Sequence, residues 1–109
     1  MKKIPSKIKL ILQEIQNELK KIYSDRFKGL ILFGSYGRGD FIKGSDIDIL
    51  MLIEQMNNPF YERLKYFNII SELSLKYDTV ISIVPYDFEE FHKKRTPLIL
   101  NVNKEGIKL

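Results

Sequence analysis

The 109-residue chain has no cysteine and a single histidine. Without cysteine neither a disulfide framework nor a thiolate metal site can form. His92 lies in a charged stretch with no second imidazole, which makes it a surface or packing residue rather than half of a metal pair. No apolar run approaches the roughly 18 residues of a membrane span, and the segment after Met1 is polar, with no secretory pattern. The sequence shows no internal repeat, low-complexity segment or linker, so residues 1–109 are expected to form one domain, and a cytoplasmic location fits the absence of cysteine.

What is present is ordinary globular material, 44% apolar and 29% charged. The net charge of +4 raises the question of nucleic acid. The lysines, however, are spread along the chain and the aromatics do not interleave with them as a stacking platform requires. Direct nucleic-acid binding is therefore not expected. A modestly basic surface also suits an anionic nucleotide or an acidic protein partner.

Ser6 is placed to cap a helix reaching Tyr23, with Ile8, Leu12, Ile15, Leu19 and Ile22 recurring on a core-facing stripe. A strand follows over Gly29 to Phe33, and a second opens at Asp46-Ile47-Asp48 and runs past Leu52. Pro59 suits the first turn of a helix to about Lys76, with Leu64, Phe67, Ile70 or Ser71, and Leu73 on its stripe. Thr79 to Val84 is β-branched and reads as a third strand ended by Pro85. An acidic first turn places the next helix at Asp87 to about Arg95; Pro97 interrupts it, and Leu98 to Asn103 forms a further turn or helix before an apolar tail. This alternation implies an α/β layer with helices against a small sheet.

The informative stretch is Leu30 to Leu52, LILFGSYGRGDFIKGSDIDILML. Side chains alternate along a strand, so Asp46 and Asp48 share one face, about 6.6 to 6.8 Å apart along the backbone. Two carboxylates at that spacing can converge on one or two divalent cations that bridge phosphate oxygens. Beyond them Ile47, Ile49, Met51 and Ile53 on one face and Leu50 and Leu52 on the other mark a strand buried on both sides, with the acids at its mouth. Gly34 permits positive φ and close backbone approach, and Ser35 offers a hydroxyl and an N–H to phosphate. The helical turn from Tyr36 onward adds a partial positive charge and Arg38 a full one. The alternatives are that Asp46 and Asp48 are only turn or cap acceptors, that Arg38 braces the fold on Asp40 or Asp46, and that Asp40 and Lys43 are turn residues.

Gly34-Ser35, Arg38-Gly39 and Ser45-Asp46-Ile47-Asp48 resemble the glycine-serine and D-x-D motif of the DNA polymerase beta-like nucleotidyltransferase superfamily. The whole chain resembles its smallest branch, the minimal nucleotidyltransferases, which include antitoxin partners of HEPN-domain toxins. The match is specific over residues 28–53 and elsewhere rests on element order. The resemblance implies a nucleotidyltransferase fold with a small mixed sheet. It also implies Mg-ATP as substrate with two magnesium ions on Asp46 and Asp48, and triphosphate contacts from Gly34, Ser35 and Arg38. It further implies AMP transfer to a hydroxyl, namely a tyrosine of a HEPN toxin held in a hetero-oligomer.

The superfamily usually carries a third carboxylate on a later strand, and the position aligned with it here is Ser82. A neutral hydroxyl brings no charge and cannot act as a base near neutral pH. Asp78 keeps the strand parity but lies about 13 Å away if that segment is extended, and Glu54 is the weaker substitute. Two other functions therefore stand beside the transferase: a degenerate antitoxin that acts by binding its partner, and a small-molecule transferase of the aminoglycoside-modifying kind.

Overall fold

The computed structural model describes residues 4–109. Helix α1, Ser6–Tyr23, passes through a 3-10 turn into strand β1, Phe27–Phe33, and the short helix α2, Gly34–Arg38, follows at once. A loop then leads to strand β2, Ile47–Ile53, helix α3, Pro59–Tyr77, and strand β3, Ile81–Asp87. Helices α4, Phe88–Lys93, and α5, Pro97–Glu105, and the two-residue strand β4, Ile107–Lys108, complete the chain.

The strands form one sheet in the order β3-β2-β1-β4. β1 runs antiparallel to β2 and to β4, while β2 and β3 are parallel. The result is the small mixed sheet flanked by helices that the family resemblance implied. Ile47, Ile49, Met51 and Ile53 join Ile11, Ile15 and Leu19 of α1 and Tyr66, Ile70 and Leu73 of α3 in the larger core. On the other face Leu50 and Leu52 meet Ile31, Phe91, Ile99 and Val102 beneath α4 and α5. β2 is thus covered on both sides, which is why it reads as an unbroken apolar run.

Several local expectations need correction. Pro5, not Ser6, occupies the N-cap of α1; its extended backbone sets the boundary, and Lys9 N–H donates to the Pro5 carbonyl at 3.0 Å. Ile11 and Tyr23 complete the buried stripe of that helix, and Ile22 lies outside it. On α3 the buried residues are Glu62, Tyr66, Ile70 and Leu73, whereas Leu64 and Phe67 point to solvent. Apolar residues surround this helix, so hydrophobicity alone does not choose its face. Glu62 helps to choose it, pairing at 3.1 Å with Arg26 at the foot of β1, while its carbonyl accepts from the Tyr23 hydroxyl at 3.3 Å.

Pro85 lies inside β3 rather than ending it. Ile47 N–H donates to the Val80 carbonyl at 2.9 Å, so the even-numbered residues of β3 turn their backbone groups toward β2 and the odd-numbered ones toward the open edge. At an odd position a missing N–H removes no ladder bond. Asp87 then closes β3 and caps α4 by accepting from Glu90 N–H at 3.1 Å. α4 stops at Lys93, short of the expected Arg95, and Thr96 caps α5 by accepting from Ile99 N–H at 3.3 Å. The parity is open to test: Pro85→Val should change stability in urea by less than about 0.5 kcal/mol, whereas Val84→Pro, which removes an inward N–H, should cost about 3 kcal/mol.

Candidate active site

Antiparallel pairing sets Phe33, the last residue of β1, opposite Asp48 near the start of β2. The turn after β1 therefore opens beside the two acids. Gly34 has φ +67°, and a Cβ there would overlap the Asp48 carboxylate, lying 3.1 Å from its Cγ. Both the left-handed backbone and the contact demand glycine.

Asp46 is exposed just before β2, and Asp48 is half-buried within it on the same side as Leu50 and Leu52. Burial pushes the pKa of Asp48 up, the neighbouring Asp46 charge pushes it further, and Arg38 partly offsets both. This is a pair whose mutual repulsion a cation would relieve. Among the described residues no group of three or more His, Cys, Asp or Glu is gathered for a metal. Two carboxylates nevertheless fit magnesium, which is commonly held by one or two carboxylates with water and substrate phosphate filling its shell.

Ser35 is the second residue of α2, and its carbonyl accepts from Gly39 N–H at 2.9 Å and Asp40 N–H at 3.1 Å, closing the turn. Gly39, at φ +90°, ends α2 in the left-handed region. Arg38 points its Nε at Asp40 Oδ2, 3.1 Å away, and its Nη1 at Glu105 Oε2, 3.7 Å away. Asp40 therefore serves as a turn partner of Arg38, and Arg38 braces the fold while remaining 44% exposed.

Gly37, Glu105 and Phe41 support this site from outside the motif residues, and Ser45 supports it from within them. Gly37 packs α2 so closely that a Cβ would lie 2.9 Å from the Leu32 carbonyl and 3.1 Å from that of Glu105. Glu105 reaches Arg38 from α5, far along the chain. Ser45 accepts from Ile42 N–H through its hydroxyl at 2.8 Å, closing the loop that delivers Asp46. Phe41, in the same loop, stacks on Tyr36 with ring centroids 4.7 Å apart.

Ser82 is the register partner of Asp48 on β3, exposed at the mouth of the sheet. Asp78 caps α3 with a left-handed backbone, φ +48°. Glu54 lies beyond the far end of β2 and pairs with Lys28 at 3.0 Å. Neither stands in for a third acid.

A family model described as a nucleotidyltransferase domain matches residues 12–108. The chain belongs to that nucleotidyltransferase family. A Methanocaldococcus jannaschii protein, provisionally named a protein adenylyltransferase, is 41% identical over 76 residues, covering 70% of this chain and 76% of the relative. A Sulfolobus solfataricus protein provisionally described as a nucleotidyltransferase shares the fold at TM-score 0.67 and 22% identity, over 99% of this chain and 89% of that one. A chain from the complex of a tri-AMPylated Shewanella oneidensis HEPN toxin with its MNT antitoxin aligns at TM-score 0.59 and 20% identity, over 92% of this chain and 69% of that one.

In this nucleotidyltransferase the charge of Asp48 works against the fold. Asp48→Asn is expected to stabilise the metal-free protein at pH 7 by up to about 1 kcal/mol. The sign follows from the raised pKa: charged Asp48 costs stability once pH exceeds its folded value, and the cost disappears on acidification. The gain of the variant should therefore shrink as pH falls, in thermal melts from pH 7 to pH 4. Gly34→Ala should cost about 1–2 kcal/mol in the same melts, because the left-handed backbone is strained and the added Cβ displaces the Asp48 carboxylate.

Proposed function

We propose that the protein transfers AMP from Mg-ATP to a protein hydroxyl, with a tyrosine of a HEPN-domain toxin as acceptor, and so serves as the antitoxin of a toxin–antitoxin pair. The observation that carries this reading is the Asp46–Asp48 pair at the mouth of β2, with the Gly34 backbone lying against the Asp48 carboxylate. The name of the Methanocaldococcus relative and the modified toxin in the Shewanella complex support the choice of AMP and of partner.

In this reading Asp46 and Asp48 hold the magnesium ions, which when bound neutralise triphosphate charge. Gly34 and Ser35 hold the β and γ phosphates in the turn after β1. Arg38, exposed on one side, adds a fixed positive charge to that turn. The protein's contribution is alignment and preorganised charge. The acceptor hydroxyl gives up its proton to water as its oxygen forms a bond to the α-phosphorus, and the α–β bridging bond breaks so that pyrophosphate leaves.

One observation favours a second reading. Ser82 stands in register with Asp48 where a third carboxylate would complete the site, and among the described residues no third acid joins the pair. A chain so equipped would bind nucleotide and partner without turnover.

Labelled ATP and magnesium, with the purified protein alone or with its HEPN partner, separate the two. The transferase predicts label on a partner tyrosine, reduced at least about 100-fold in Asp46→Asn and Asp48→Asn. An intact complex that binds ATP and transfers nothing would establish the binding protein instead.

A further inference from the structure

The edge of the sheet opposite the C-terminal strand is open. β3 is its outermost strand, and the odd-numbered residues Ile81, Ile83 and Pro85 turn their backbone groups away from β2. The Tyr66 hydroxyl reaches one of them, donating to the Ile83 carbonyl at 3.4 Å. Ile81 and Ile83, whose N–H groups point away from β2, line a groove of about 470 Å³ between β3 and α3. Pro85, with no N–H to offer, limits the pairing length of this edge.

The groove has apolar walls. Tyr66, Phe67, Ile70 and Leu75 line it from α3, and Ile81 and Ile83 from β3. Phe67 and Leu75 are 65% and 83% exposed, and Phe60 and Leu64 extend the same arc of the helix outward, each more than half exposed. An arc of large apolar side chains beside an unpaired edge is a surface that soluble proteins ordinarily cover. Arg63 also lines the groove. Because α3 and β3 run antiparallel, it sits toward the Pro85 end, and among the described residues no carboxylate pairs with it in an ion pair.

We propose that this edge and groove dock an extended segment of a partner protein, which adds a strand outside β3, seats alternate apolar side chains against Phe67 and Leu75, and presents a carboxylate to Arg63. The backbone groups of Ile81 and Ile83 select for an extended chain, since a helix has no free ladder groups to offer them. The side-chain period of two places every second residue of the added strand over α3. Arg63 supplies the charge complementarity and sets the end of the segment. The edge flanks Ser82, one strand over from Asp48, but it uses none of the residues assigned to the transferase reading, so it does not depend on that reading.

A displayed library of random eight-residue peptides, selected on the wild-type protein and counter-selected on Phe67→Glu, tests the proposal. Phe67 is exposed, so that variant should fold, and its circular dichroism and melting curve check this. The expected consensus alternates β-branched or aromatic residues with polar ones and ends in Asp or Glu. A synthetic peptide of that consensus should slow amide hydrogen exchange at Ile81 and Ile83 at least about tenfold, and Arg63→Gln should weaken its binding about tenfold. The proposal is overturned by no enrichment over Phe67→Glu, by a consensus with helical spacing, or by binding that leaves both amides unprotected. It is equally overturned if the free protein sediments as a dimer with those amides already protected, because the occupant is then a second copy of this chain.

Discussion

The arrangement depends on one backbone pairing, Phe33 against Asp48. Antiparallel strands place the exit of one beside the start of the next, and the register decides which residues meet. Here it sets a glycine with positive φ against a carboxylate, so the turn after β1 and the acids of β2 become two sides of one cleft. A slip of one residue would move Asp48 to the opposite face, under α1 and α3, where a charge has no place. The two cores on either side of β2 therefore hold the register that the chemistry needs.

The C-terminal segment secures the other half. β4 pairs with Ile31 and Leu32 on the outer side of β1, and α5 brings Glu105 to both the backbone of Gly37 and the side chain of Arg38. A five-residue helix such as α2 has little stability of its own. Its position comes from being wedged between β1 and the end of α5, with glycine at the contact because nothing larger fits.

The acids illustrate a conflict between folding and function. Asp48 is partly withdrawn from water and faces a second negative charge, an arrangement that costs stability. The opposite logic governs Glu62 at the other end of the molecule. Burial raises its pKa, but bonds from Lys65 and Arg26 outweigh that effect and hold it below the usual range. One carboxylate is satisfied internally and fixes α3, whereas the other keeps its repulsion with Asp46.

The sequence by itself determined the element order and the apolar central strand, because these follow from local periodicity and the two-residue repeat of a strand. It also singled out Gly34, where the turn chemistry is local. It did not determine which face of α3 is buried, since Phe60, Leu64 and Phe67 are as apolar as Tyr66, Ile70 and Leu73, and the choice is made by packing and by the Arg26–Glu62 pair. Nor did it show that Pro85 continues β3, because a proline is harmless only where its missing N–H faces an edge, and edges exist only once the sheet is assembled. The link from Glu105 to Arg38, the wedge at Gly37 and the register of Ser82 with Asp48 were decided by tertiary structure alone, for they join residues whose separation along the chain carries no local signal.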